Sequence, residues 1–282
     1  MKIFIWGMGL IGASLALALR DKGHQISGAV RSAKSRETLA RMGFDRVTSD
    51  ESEALKMLRD CDMLALGLNV NDCFRIMDLV LADEALAKQL VLFDMCSTKA
   101  EICQYAEQQH AGANFVGTHP MAGKEKQGPE AAEAALFAGQ TVFITPRPGA
   151  EDATEKVRTL WQSVGALTVP IDAAVHDRTM AYVSHGLHLT ACLISNLSAE
   201  VFDATLPVSP VAGSYRDMTR VAMSSGEMWQ SITDSNRENI AAWLTQLSER
   251  SAKLAEEIRD GRANVRKLFA DAELIRGKFM RT

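Results

Sequence analysis

Residues 2–20 read KIFIWGMGLIGASLALALR, and their interpretation decides the fold. Lys2–Trp6 is a short aliphatic and aromatic run of the kind that makes a buried strand. Gly7-Met8-Gly9-Leu10-Ile11-Gly12 follows at once and opens Leu10–Arg20, which is rich in the strong helix formers alanine and leucine. In a strand–GxGxxG–helix junction the first glycine makes the tight turn and the second lets the backbone approach a pyrophosphate. The third lets helix and strand pack closely, and the helix N-terminus offers N–H groups and a favourable dipole. Gly7, Gly9, Leu10, Ile11 and Gly12 are therefore candidate cofactor contacts, against the plainer reading of an ordinary strand–turn–helix junction.

Outward from this junction, short strands alternate with helical stretches. Strands are expected at Gln25–Val30, Met63–Leu66, Leu90–Asp94, Asn114–Val116, Thr141–Ile144 and Leu167–Val169. Helices are expected at Ser35–Met42 and Ala153–Val164. Alternation of this kind implies crossover connections and a parallel sheet covered on both faces. From about Ile171 the strand-like runs stop. Long amphipathic stretches replace them at Ala173–Ser198, Arg216–Ser224, Met228–Asp260 and Arg262–Lys278. The expected fold is α/β, with a Rossmann-type doubly wound, mostly parallel sheet in residues 1–171. An all-helical substrate and dimerisation domain in residues 172–282 follows it. A helical domain rich in Met and Ala, attached to a nucleotide-binding domain, commonly pairs with a copy of itself, so a homodimer is expected.

Composition narrows the function. A net charge of -4 argues against a nucleic-acid binder, which needs a basic face. No apolar run is long enough to span a bilayer, and no signal peptide precedes Gly7. Five scattered cysteines without CxxC spacing fit reduced thiols in a cytoplasm better than disulfides or a zinc site. The six histidines have no thiolate or carboxylate cluster at ligand spacing, so no metal is expected.

The end of the second strand speaks to the dinucleotide. An NAD site usually places Asp or Glu there for the ribose 2′-OH. Here Val30 leads into Arg31-Ser32-Ala33-Lys34, with no acid before Glu37. Arg31, Ser32 and Lys34 suit a 2′-phosphate, which favours NADP over NAD; the alternative is a basic solvated turn.

Further along, Thr118-His119-Pro120-Met121-Ala122-Gly123 follows an expected strand. Its proline and glycine suggest a fixed loop, at the sheet end where such folds collect ligands. A histidine there has the pKa range to take a proton while hydride leaves the same carbon.

Five stretches together resemble the prephenate and arogenate (cyclohexadienyl) dehydrogenases over nearly the whole chain. They are GMGLIGASLALAL at 7–19, DMCSTKAEI at 94–102 and GTHPMAGKEKQGPEAAEAALFAGQTVFITP at 117–146, with YVSHGLHLTA at 182–191 and SYRDMTRVAMSSGEMW at 214–229. The resemblance implies oxidation and decarboxylation of a cyclohexadienol on the way to tyrosine, with hydride passing to NAD(P)⁺. It implies that His119 bonds the ring hydroxyl and that Ser97 lies between this histidine and the nicotinamide. Glu125 would stand near the entrance, Arg220 would clamp a substrate carboxylate with Asp217 bracing it, and His188 would bind substrate, with His185 structural. Read from spacing alone, Arg220 with Asp217 is an ordinary surface pair and His185 and His188 are packing residues. His24, His110 and His176 lie outside any motif and are expected at the surface.

Two residues depart from the family pattern: Cys96 stands where a glycine is usual, and no proline follows Leu66-Gly67-Leu68-Asn69. Two other classes compete with the dehydrogenase reading. One is a two-domain hydroxyacid or imine dehydrogenase, for which the Thr118–Gly123 segment has no explanation. The other is a dinucleotide sensor without catalysis. Prephenate and arogenate remain open alternatives.

Overall fold

The computed structural model describes residues 1–123, 126–200 and 211–280. Its first part runs β1 (Lys2–Trp6), α1 (Leu10–Arg20), β2 (Gln25–Ala29), α2 (Ala33–Arg41), β3 (Val47–Thr48), α3 (Glu51–Leu58), β4 (Met63–Leu66) and α4 (Val70–Leu81). It continues through α5 (Glu84–Gln89), β5 (Val91–Asp94), α6 (Ala100–Gln109), β6 (Asn114–Pro120), β7 (Thr141–Thr145), α7 (Glu151–Ser163) and β8 (Leu167–Pro170). The eight strands form one sheet in the order β3-β2-β1-β4-β5-β6-β7-β8. Every pairing is parallel except β6 with β7. The chain reverses direction across the sheet between β1 and β4, which opens a crevice beyond their carboxyl ends.

Alternation along β1 divides the core. Ile3 and Ile5 join Leu15, Leu19, Phe93 and Trp161 on one face, while Phe4 and Trp6 join Leu64, Val70, Ile76 and Phe115 on the other. Both faces of the sheet are thus buried, as parallel strands require.

Four helices and a strand escape the expectations above: α3, α4, α5, α6 and β3. Three of the helices carry a side-chain cap: Asp50 accepts from the Glu53 N–H, Asn69 from Asp72, and Asp83 from Ala85. A larger correction concerns His119. It lies in β6, not in a loop, because β7 runs antiparallel alongside and pairs His119 with Phe143 and Pro120 with Val142.

The helical part comprises α8 (Ala173–Met180), α9 (Gly186–Ser198), α10 (Gly213–Thr219), α11 (Gly226–Ser235), α12 (Arg237–Arg259) and α13 (Val265–Phe279). A π turn at Ala181–His185 interrupts the helix expected over 173–198. The helix expected over 228–260 breaks at Asn236, and that over 216–224 tightens into a 3-10 turn from Arg220. No helix of the described residues is long and apolar enough to cross a membrane. Helix α13 buries none of its residues, and Phe269 and Phe279 are 72% and 78% exposed.

Candidate active site

The glycine loop sits at the crevice. Gly7 has φ +96°, and a Cβ there would stand 2.4 Å from the Gly67 carbonyl oxygen at the end of β4. A Cβ on Gly12 would come within 2.2 Å of the Gly7 oxygen, so only glycine lets α1 settle over the turn. At Gly9 a Cβ would meet nothing within 4 Å, and α1 opens without a side-chain cap. Its first N–H groups and its dipole face open space on that side, which suits a pyrophosphate.

The Gly7 N–H donates to the Ala29 oxygen at 2.9 Å and ties the loop to the end of β2. Arg31, Ser32 and Lys34 lie just past that point and are exposed. Ser32 has a structural task as well, since its Oγ accepts the Ser35 N–H at 3.1 Å and caps α2.

At the far side of the crevice a relay of three side chains crosses from the helical part to the sheet. Asp177 Oδ1 accepts from His176 Nδ1 at 2.7 Å, and His176 Nε2 lies 2.9 Å from His119 Nδ1. A carboxylate only accepts, so His176 carries its proton on Nδ1 and presents a lone pair at Nε2. His119 must then donate through Nδ1, which leaves its own Nε2 as an acceptor. Burial, together with the neighbouring His176, Lys99 and His185, holds the His119 pKa well below 6.5. The ring is a neutral base with its lone pair fixed by a partner, the arrangement that proton abstraction needs.

Asp177 is fixed in turn. Its two oxygens accept the backbone N–H groups of Lys99 and Ala100 at 2.7 and 2.8 Å, at the start of α6. His176 is fully buried, contrary to its expected place at the surface, and His24 and His110 are half-buried. Sequence reasoning missed His176 and Asp177 altogether. The available signal was an adjacent His-Asp pair in the first helix after the last strand.

Half-buried Ser97 occupies the loop between β5 and α6. Below it Lys99 and Asp94, both fully buried, form an ion pair. Burial pushes the Lys99 pKa down, but the Asp94 carboxylate and the nearby Cys96 and Cys103 together outweigh it and the net shift is upward. Asp94 also accepts the N–H groups of Cys96 and Thr118, so one carboxylate locks the Ser97 loop to the strand bearing His119.

Both departures from the family pattern have local explanations. The Cys96 thiol packs 3.6 Å from that of Cys73 and donates to the Leu68 oxygen at 3.4 Å, so it fills space against α4. Asn69 caps α4.

On the helical side, His188 stacks on Trp229 with ring centres 4.0 Å apart. Its Nδ1 donates to the Ser184 oxygen at 3.0 Å, so the neutral ring presents a lone pair at Nε2. It becomes a donor to a carboxylate only when protonated. Burial lowers its pKa, the Ser184 carbonyl raises it, and the nearby Arg220 lowers it again. Arg220 and Asp217 are exposed, at the 3-10 turn and on α10, and the described residues contain no ion pair between them. The expected brace is therefore not formed among the described residues, although α10 ends at Thr219 directly before Arg220. Glu125 lies outside the described residues.

Comparison with known proteins gives a consistent result. The family model for the prephenate dehydrogenase nucleotide-binding domain matches residues 15–170, and that for its dimerization domain matches residues 172–271. A prephenate dehydrogenase of Lactococcus lactis is 30% identical over 98% of this chain and 76% of its own length. A cyclohexadienyl dehydrogenase of Zymomonas mobilis is 31% identical over 89% of this chain and 85% of its own. Among solved structures, a prephenate dehydrogenase of Aquifex aeolicus, in complex with hydroxyphenyl propionate and NAD⁺, superposes with a TM-score of 0.88 at 24% identity. That superposition covers 99% of this chain and 98% of the other. With both halves of the chain matched in order, the protein belongs to the prephenate dehydrogenase family.

Proposed function

We propose that this dehydrogenase oxidises and decarboxylates prephenate, or its amino counterpart arogenate, with NADP⁺ favoured over NAD⁺ as hydride acceptor. Residues 1–171 bind the dinucleotide, and residues 172–282 close the substrate site and pair with a second copy. The observation that carries the reading is the Asp177–His176–His119 relay, which leaves a neutral acceptor nitrogen at the crevice.

A bound nicotinamide supplies the site that takes the hydride. His119 Nε2 takes the ring hydroxyl proton as hydride leaves the same carbon. The ketone so formed is conjugated with the two ring double bonds that flank the quaternary carbon bearing a carboxylate. Loss of CO₂ sends the C–C electron pair into the ring, the ring oxygen regains a proton, and a phenol results. Aromatisation makes the step irreversible. The chain's share is positioning and proton removal: Ser97 orients hydroxyl and nicotinamide, Arg220 holds one carboxylate, and His188 holds another by taking a proton as the bound dianion raises its pKa. Arg31, Ser32 and Lys34 support the preference for a 2′-phosphate.

The test is initial-rate formation of reduced dinucleotide, with prephenate and arogenate each crossed against NAD⁺ and NADP⁺. A rate in any combination supports the class, and the fastest names substrate and cofactor. Folded protein that binds NADPH yet turns over neither substrate would point instead to a dinucleotide sensor.

A further inference from the structure

His185 ends the π turn between α8 and α9 and is 1% exposed. Its Nδ1 lies 3.0 Å from the Asn236 side-chain nitrogen, and that amide also donates to the Asp177 carbonyl oxygen at 2.8 Å. The Asn236 oxygen is taken by a bond from the Asn239 amide at 2.8 Å, which fixes which end of the group faces His185. An amide nitrogen only donates, so His185 Nδ1 accepts and the ring carries its proton on Nε2. That N–H is buried and has no hydrogen-bond partner. Such orphaned donors are rare and call for an acceptor.

The Ser97 carbonyl faces this ring closely enough to raise its pKa without closing a hydrogen bond on Nε2. Burial lowers the His185 pKa to about 4, so the ring remains a neutral donor. The helical part grips the same loop elsewhere. Thr98 Oγ1 is 2.9 Å from Ser235 Oγ, next to Asn236 at the break between α11 and α12, and Asp177 takes the Lys99 and Ala100 N–H groups.

We propose that His185 is a positioning residue for Ser97: its Nε2–H donates to the Ser97 carbonyl when cofactor and substrate close the site, and this sets the direction of the serine hydroxyl. Asn236 determines which ring nitrogen carries the proton and so acts through His185. The assignment rests on the role of Ser97 stated under the proposed function, and it changes His185 from a packing residue to part of the catalytic geometry.

The experiment compares wild type, His185→Leu, His185→Gln, Ser97→Ala and the double variant Ser97→Ala/His185→Leu. Turnover, KM and NADPH binding by fluorescence are measured for each. The expected result is a kcat loss of about tenfold or more in His185→Leu with NADPH affinity unchanged within about twofold, the pattern of a lost transition-state interaction. His185→Gln keeps a donor near the Nε2 position and recovers most of that loss. In the Ser97→Ala background, His185→Leu costs less than about a further twofold, because interacting residues are not additive. Equal losses in both backgrounds, or a loss in KM alone, would overturn the role of His185 while leaving the function intact. A wild type inactive on every substrate would overturn the function and this role with it. If His185→Leu fails to fold, Asn236→Asp decides. Its carboxylate draws the ring proton to Nδ1 and turns the Nε2 lone pair on the Ser97 carbonyl, so kcat must fall; unchanged kcat overturns the proposal.

Discussion

His176 Nε2 lies 2.9 Å from His119 Nδ1, and the two side chains come from opposite sides of the junction between sheet and helices. The His119 ring on β6 therefore owes its tautomer to a residue on α8. His119→Asn is expected to reduce kcat by about 10²-fold or more, in the range of general-base losses, while dinucleotide affinity stays near wild type. His176→Phe should give a loss of similar kind, because the Nδ1 proton of His119 then has no acceptor. Steady-state rates alongside NADPH titration check both, and unchanged turnover in His119→Asn would refute the assignment.

The pH profile follows from the same environment. Burial first, then neighbouring histidines and Lys99, hold the His119 pKa well below 6.5. The active form is neutral, so the acid limb of kcat/KM is expected well below pH 6.5. A limb at or above 6.5 would contradict the relay.

Stability should bend the same way. His119 and His185 (about 4) both have folded pKa values below the unfolded 6.5. Between those limits the unfolded chain binds protons that the native state refuses. Stability is thus fully present above pH 6.5 and is lost as pH falls through the folded values. Each histidine contributes up to about 1.4 kcal/mol per pH unit. Urea denaturation at pH 7.5, 6 and 5 reads the slope.

Cofactor choice can be tested at the basic turn. Replacing Arg31 and Lys34 by alanine is expected to raise KM for NADP⁺ by about tenfold or more, the scale of a lost charge-assisted contact. KM for NAD⁺ should move by no more than about twofold. Equal effects on both cofactors would mean that the turn is merely solvated.

The buried pair Lys99–Asp94 makes a sharper demand on the fold. Lys99→Met leaves a carboxylate in the core with two backbone donors and no counter-charge. The expected cost is about 3–5 kcal/mol of stability. Adding Asp94→Asn should return part of it, and denaturant midpoints of the two variants measure the difference.

Much of the fold could be read from residues 2–20 and from the alternation that follows them. The glycine loop, the sheet and the helical second half all stand where local pattern put them. Of the helices without an expectation, α3, α5 and α6 bury only one or two residues each, although Asp50 and Asp83 mark two of their starts, whereas α4 buries a full stripe from Val70 to Val80 behind its Asn69 cap. His119 looked like a loop residue because Pro120 and Gly123 are turn formers, and a strand partner contributed from residues 141–145 is invisible to a local reading. His176 and Asp177 were lost for the same reason. Nothing within several residues of them shows that the fold will carry them against His119, 57 positions away in sequence.

Helix α13 buries none of its residues against its own chain. A fifteen-residue helix is marginal in water by itself. The dimerization-domain match runs to residue 271, into the first turns of this helix, so a second copy is the expected partner for its exposed face. Its formation is then a bimolecular event: diluting the protein should fray the last turns before the sheet melts, and the melting temperature should climb with protein concentration.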